Sequence, residues 1–323
     1  MQRNMPQTTL IAAAAALVAR FRRQRPLRGG SLIVTIFGDS IMPRGGAIAL
    51  GSLIHIASPF GLNERLVRTA TARLANEGWL DSRRAGNRSE YRLSAGGRVR
   101  FAEATRRIYD VQAEWSGRWS LVVLPPMRAA DRRRLREELT WNGFGEVAAG
   151  VFAHPEAQAR EFESQSKTES LFSNTIIFNV ILAEQTQAAR LVSLGWDLQA
   201  LGRRYQDFVL RFERVRAALR SCGRLDPLAS FIARTLLIHD YRRLHLRDPL
   251  LPSRLLPDDW PGARAADLCR EIYARVFAAS EEYLSSAAVQ LDGALPPPEQ
   301  SVMRRFGGIG SSSSHENTLH NRY

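Results

Sequence analysis

The sequence predicts a multidomain α+β chain, and three observations predict it. Between Gly51 and Leu93 an apolar helix, a tight turn, an arginine-studded helix and a basic hairpin follow one another, the element order of a winged helix-turn-helix. Short β runs then alternate with an amphipathic helix over 115–185, which makes a small α+β domain. From Leu191 onward the strand signals stop, and three long stretches of helical spacing build an α-helical domain over 190–300. An N-terminal extension over 1–30 precedes the DNA-reading head and its linker helix at 31–110, and a Gly/Ser-rich tail over 307–323 is expected to be disordered. With 323 residues and 45% hydrophobic side chains, the chain can build a core in each domain.

The apolar run Leu10–Ala19 falls far short of the roughly 20 residues a membrane span needs, and it runs into Arg20, Arg22, Arg23 and Arg25. It reads as an alanine-rich helix or a frayed extension, dispensable if translation starts downstream, and no membrane partner is expected. The first helix of the head, Gly51–Ala57, is broken by Ser58-Pro59-Phe60-Gly61, where proline restricts its predecessor and glycine opens the turn. In the next helix, Leu62–Glu77, a rotation of about 100° per residue puts Leu66, Val67, Ala70 and Leu74 on one side. Arg65, Arg68, Thr69, Ala72 and Arg73 fall on the other, with Asn63 at the helix start. A major groove accepts such a face: arginine forks bond guanine edges or phosphates, a threonine methyl meets thymine, and alanine lets the helix approach. In the hairpin that follows, Leu80, Tyr91 and Leu93 can pack inward, while the tip carries Arg83, Arg84 and Arg88, where a wing touches phosphate or probes the minor groove.

Charge makes the same argument independently. Residues 1–110 hold 18 arginines and no lysine against seven acidic side chains, so +11 of the chain's net +13 lies in its first third. Segregation of positive charge onto the segment with the helix-turn-helix pattern points to a polyanion, double-stranded DNA.

The remaining elements follow in order. Gly96–Glu114 is helical in pattern, Trp119–Pro126 is a short buried strand ended by prolines, and Ala130–Thr140 is a charged amphipathic helix. Val147–Pro155 and Ile176–Leu182 are further strands, and Trp196–Ser221, Pro227–His245 and Arg264–Val289 are helices. Cys222 and Cys269 stand apart from any CxxC pair, which fits core residues in a reducing cytoplasm and no zinc site.

Several motifs resemble the PaaX family of repressors of phenylacetic acid catabolism: Phe37-Gly38-Asp39-Ser40, Arg44-Gly45-Gly46, Asn63-Glu64-Arg65-Leu66-Val67-Arg68-Thr69 and Gly78-Trp79-Leu80 in the head, and Trp141-Asn142-Gly143-Phe144-Gly145 in the middle. The run Leu236–Arg243, the segment Leu246–Pro252, Leu255-Leu256-Pro257 and Arg305-Phe306-Gly307-Gly308 extend the likeness over residues 31–309. The resemblance implies a dimeric bacterial repressor that leaves its operator when phenylacetyl-CoA binds. It also implies a winged-helix head, a Cas2-like ferredoxin-fold middle and a helical C-terminal domain, with no cofactor besides the effector.

A metal-dependent nuclease of the Cas2-like fold needs a carboxylate at the end of its first strand, and Trp119–Leu124 has none. The nearest downstream acid, Asp131, has the ordinary role of an N-cap. No GxSxG elbow, HExxH helix or GxGxxG loop occurs, so an enzyme is not expected. An acyl-CoA calls for arginines beside an apolar cleft, and Arg234, His239, Tyr241, Arg242 and Arg243 supply such groups on one predicted helix. The same helix also reads as ordinary packing: Leu236, Leu237, Tyr241 and Leu244 are spaced for a core, Asp240 can pair with Arg243 or Arg247, Asp248-Pro249 can cap a turn and Trp260 can be core. Regulation by a different acyl-CoA and a constitutive DNA-binding module are the alternatives. The 213 residues beyond the head favour a regulated protein.

Overall fold

The computed structural model describes residues 9–27, 29–109, 115–155, 175–182 and 184–309. The helices in chain order are α1 (Leu10–Arg22), α2 (Gly29–Ile36), α3 (Leu50–Ala57), α4 (Glu64–Asn76), α5 (Ala95–Tyr109), α6 (Ala129–Trp141), α7 (Gln185–Gly195), α8 (Leu198–Arg220), α9 (Pro227–His245) and α10 (Pro261–Ala287). The strands are β1 (Ala47–Ala49), β2 (Leu80–Ala85), β3 (Arg88–Leu93), β4 (Arg118–Val123), β5 (Gly145–Ala148), β6 (Val151–Pro155), β7 (Ile176–Ile181), β8 (Val289–Gln290) and β9 (Gly293–Ala294). The chain forms two compact units, one of residues 1–111, 208–242 and 265–323, the other of 112–207 and 243–264.

In the first unit, α3 and α4 are joined by a tight turn and followed by the β2–β3 hairpin, and β1 completes an antiparallel sheet in the order β1-β3-β2. Gly61 ends the turn at φ +81°, a left-handed backbone conformation that favours glycine. The N-terminal run is not a frayed extension. Thr9 caps α1 by accepting from the Ala12 amide at 3.2 Å, and Leu10, Ala13, Ala14, Leu17 and Phe21 are buried at helical spacing. Alanine gives no bulky stripe to announce a core face, yet its small side chain lets this helix pack closely. Residues 288–296 are also not helical: β8 and β9 form a hairpin of two residues per strand, too short for any periodicity to register. Of the tail expected to be disordered, Gly307, Gly308 and Ile309 are described, the Ile309 amide bonding to Met303 O at 2.7 Å; the rest of that expectation falls outside the described residues.

The second unit is built on a sheet in the order β5-β6-β4-β7, all antiparallel. With α6 between β4 and β5, this is a ferredoxin-like order, the segment between β6 and β7 lying outside the described residues. The expected single strand at 147–155 is two strands, because Gly150 turns the chain at φ +77°. On one side of the sheet Leu135 and Leu139 of α6 pack with Val122, Leu124, Phe144 and Phe152; a second cluster joins Trp119 and Ala153 to Ala188 and Val192 of α7. The Trp141–Gly145 motif is structural here. Gly143 has φ +87° just past α6, and Gly145 lies so close to α7 that a Cβ would meet Gly195 O at 2.7 Å.

Smaller expectations are corrected. Asp131 sits in the first turn of α6, behind an N-cap at Arg128, so its carboxylate meets the positive helix end without capping it. Trp260 is only half-buried, edge-on to Tyr205 at 5.9 Å, while Cys269 is buried and Cys222 half-buried. Asp248 accepts from Tyr205 Oη at 2.7 Å and from the Leu250 amide at 2.7 Å. No helix among the described residues is long and apolar enough to cross a membrane.

Candidate nucleic-acid interface

Helix α4 is set by Asn63, whose Oδ1 accepts from the Leu66 amide at 2.9 Å, so this residue opens the helix that the arginines share. Val67, Ala70, Thr71 and Leu74 are buried, and Thr71 donates to Val67 O at 3.0 Å. Leu66, expected on the apolar face, is instead 42% exposed beside Arg65 and Thr69. Its angular position lies at the edge of the buried stripe, and Thr71 takes the inward place by returning its hydroxyl to the backbone.

The exposed arginines of α4 differ in their surroundings. Arg68 makes a two-pronged bond to Glu64 at 2.7 and 2.8 Å, and Arg73 lies 3.5 Å from Glu77. Arg65 has no ion pair among the described residues, and Thr69 donates its hydroxyl to Arg65 O at 2.8 Å, leaving its methyl outward. Arg65 is therefore the α4 cation most available to a polyanion.

In the hairpin, Leu80 and Leu93 are buried as expected, but Tyr91 is half-exposed and Glu90 takes the inward position. Burial pushes the Glu90 carboxyl up, yet its bonds from the Leu291 amide and Arg92 and the charge of Arg83 hold it below its ordinary value. Arg83 is thus tied into the unit: Nε lies 3.5 Å from Glu90, and Nη2 donates to Asp292. Arg84 and Arg88 at the exposed tip have no ion pair among the described residues. Sequence reasoning could not find the brace of Arg83, since Asp292 lies 209 residues away.

The residues singled out for an effector occupy other surroundings. Arg234 is 1% exposed and donates to Asp39 Oδ2 at 2.7 Å, Ser280 Oγ at 2.8 Å and Glu281. Against its burial, the charges of Asp39 and Glu281 hold its guanidinium pKa well above the ordinary value. His239 is buried edge-on to Phe21 at 5.5 Å, with Nδ1 3.1 Å from Thr35 Oγ1. Tyr241 is buried beside Phe208 and Phe306. Arg242 donates to Ser31 O and Oγ, both at 2.8 Å, and to Thr35 Oγ1 at 2.9 Å. Arg243 is half-buried, and Asp240 pairs with Arg211 of α8.

A cleft of about 690 Å³ opens within the second unit between the end of α7 and the Arg254–Pro257 segment. Trp196 forms part of its wall, fixed by a bond from Nε1 to Gly143 O at 3.0 Å, with Val192, Leu194, Leu255 and Leu256 around it and Arg254 at the rim. Its size is that of a small-molecule pocket, and its lining is mixed, with Ser193, Gln199, the anion Asp197 and the cation Arg254 among the apolar side chains.

The chain is matched by three family models: PaaX-like protein over residues 28–97, PaaX protein central Cas2-like domain over 112–192, and PaaX-like protein C-terminal domain over 196–286. The middle match coincides with the four-stranded sheet, as the expected Cas2-like middle requires. "Transcriptional repressor PaaX" of Escherichia coli strain K12 is 37% identical over 289 residues, 88% of this chain and 92% of the relative. Among solved structures, "Uncharacterized protein Rv0674 from Mycobacterium tuberculosis" has 23% identity and a TM-score of 0.48, covering 71% of this chain and 90% of its own. With its motifs in family order and 37% identity across nearly the whole relative, the chain belongs to the PaaX family.

Proposed function

We infer that this chain is a DNA-binding transcriptional repressor of the cytoplasm, not an enzyme, which works as a homodimer on operator DNA. The observation that carries the reading is the exposed set Arg65, Arg84 and Arg88, presented by the second helix of a helix-turn-helix and by the hairpin that follows it. A helix of this kind reads base edges in the major groove while a wing positions itself on phosphate. The kinship with a named transcriptional repressor supports the same reading.

The genes repressed are those of phenylacetic acid catabolism, and phenylacetyl-CoA releases the operator. The apolar wall of the cleft at Val192, Trp196 and Leu256, with Arg254 at the rim, supports a thioester effector, with the acyl group against Trp196 and phosphate toward Arg254 and away from Asp197. An effector that binds the DNA-incompetent arrangement about 100-fold more tightly supplies about 2.7 kcal/mol of coupling. In a dimer this coupling acts by changing the spacing of two reading helices, which must stay about 34–36 Å apart or at helical multiples.

The test is an operator gel shift against random duplex, titrated with phenylacetyl-CoA, other acyl-CoA thioesters and free CoA. Sequence-selective binding released by phenylacetyl-CoA is expected. Equal binding to operator and random DNA overturns the repressor reading, and release by a different thioester alone reassigns the pathway.

A further inference from the structure

One arginine of the wing already holds an anion. Arg83 donates through Nη2 to Oδ2 of Asp292, a residue that is 74% exposed at the turn between β8 and β9. That turn is anchored rather than loose: the Val289 amide bonds to Ser52 Oγ at 3.0 Å, Gln290 Nε2 to Ala47 O at 3.2 Å, and the Leu291 amide to Glu90 Oε2 at 2.9 Å. The anchors belong to α3, β1 and β3, the elements that carry the reading unit. Asp292 is therefore placed on Arg83 by the fold, in the same hairpin as Arg84 and Arg88.

An exposed ion pair adds little to stability, so stability does not account for this placement. Its electrostatic consequence is larger. A guanidinium fork that bonds a carboxylate offers the same donors to a phosphate, and a carboxylate beside the wing opposes the approach of DNA. We propose that Asp292 occupies the place of a DNA phosphate on Arg83, so that the β8–β9 hairpin sets how strongly the wing holds the DNA backbone. The proposal rests on the DNA-binding reading of the wing. The phosphate must displace Asp292 or sit beside its charge, and in either case the carboxylate subtracts from affinity without affecting which bases are read.

Asp292→Asn keeps the shape of the side chain and removes its charge, at an exposed position where folding is unaffected. On random duplex DNA at low salt, the variant should bind roughly two- to fivefold tighter than wild type. The slope of log K against log salt should steepen by about 0.9 per subunit, one phosphate contact. Adding Arg83→Ala should abolish both gains. Affinity and slope unchanged or reduced in Asp292→Asn, or a gain that survives without Arg83, overturns the proposal and leaves Asp292 a brace. If wild type shows no salt-dependent DNA binding at all, the reading of the wing falls instead, a distinct outcome.

Discussion

Asp39 Oδ2 accepts from Arg234 Nε at 2.7 Å, joining the turn that ends α2 to the middle of α9 where both side chains are almost wholly buried. The other oxygen, Oδ1, accepts from Tyr109 at 2.8 Å, Tyr273 at 2.9 Å and Arg305 at 2.8 Å. Arg44, also buried, bonds through Nε to Glu281 at 2.9 Å, and Glu281 meets Arg234. Removing one partner from such a buried set leaves charges without compensation. Asp39→Asn should cost about 3–5 kcal/mol of folding stability, read by urea unfolding. A loss below about 1 kcal/mol would mean that water reaches the cluster in solution.

The same cluster fixes a pH dependence. Burial pushes the Asp39 carboxyl up, but Arg234 and Arg305, with the hydroxyls of Tyr109 and Tyr273, reverse this and hold it below its ordinary 3.8. A carboxyl lowered in the folded state contributes stability that is fully present above 3.8 and is lost as pH falls through the folded value. Unfolding free energy should therefore drop as pH falls below about 4, and Asp39→Asn should flatten that limb. An acid limb of unchanged steepness in the variant would assign it to other carboxylates.

Helix α1 is part of the core. Phe21 is 2% exposed and meets His239 edge-on at 5.5 Å, so Phe21→Ala should cost about 3–5 kcal/mol and lower the melting temperature. A variant as stable as wild type would restore the view that residues 1–30 are dispensable.

How much could be read in the sequence depended on the range of the interactions. The reading helix, the hairpin, the ferredoxin-like strands and the long helices all carry periodicity or turn residues within a short window. They lie close to where that periodicity places them, except that Gly150 splits the strand expected at 147–155 and the last helix stops at Ala287. Asp39 and Arg234 are 195 residues apart, Arg83 and Asp292 are 209 apart, and no local pattern links either pair. The arginines of α9 suggested a ligand because local composition does not distinguish an arginine facing a cleft from one neutralised in a core. Leu66, expected inward, lies outward, while Thr71, assigned to neither face, is buried because its hydroxyl is satisfied on its own helix.

Among the reading-helix arginines, the ion pairs rank the effects. Arg65→Ala should weaken operator binding by about 1–3 kcal/mol and leave random DNA nearly unaffected, as the loss of a base contact does. Arg68→Ala should cost less, because Arg68 must first leave Glu64, and Glu64→Ala should tighten binding. Competition titrations of the three variants decide it, and a larger loss at Arg68 than at Arg65 would reverse the ranking.

The last prediction separates the cleft from α9 as the place where the thioester acts. Arg254 is exposed at the cleft and lies outside both buried core clusters, so Arg254→Ala should leave folding and operator affinity as in wild type. Leu256 also lines the cleft but is half-buried against the cluster around Trp119, so Leu256→Asp should lower stability and is compared only where it still folds and binds operator. Each removes a group that a bound thioester needs: the cation for phosphate, or an apolar wall for the acyl chain. Release of operator should then require at least about tenfold more phenylacetyl-CoA, a loss of about 1.4 kcal/mol of effector binding. Arg242→Ala should behave differently. Its three bonds to Ser31 and Thr35 hold α2 of the head, so its loss should lower stability and operator affinity together, whatever the effector concentration. Operator titrations with and without thioester, after circular dichroism has shown each variant folded, distinguish the two. If Arg242→Ala folds, binds operator normally and ignores the thioester while both cleft variants respond as wild type, the effector acts on α9 and the cleft is not its site.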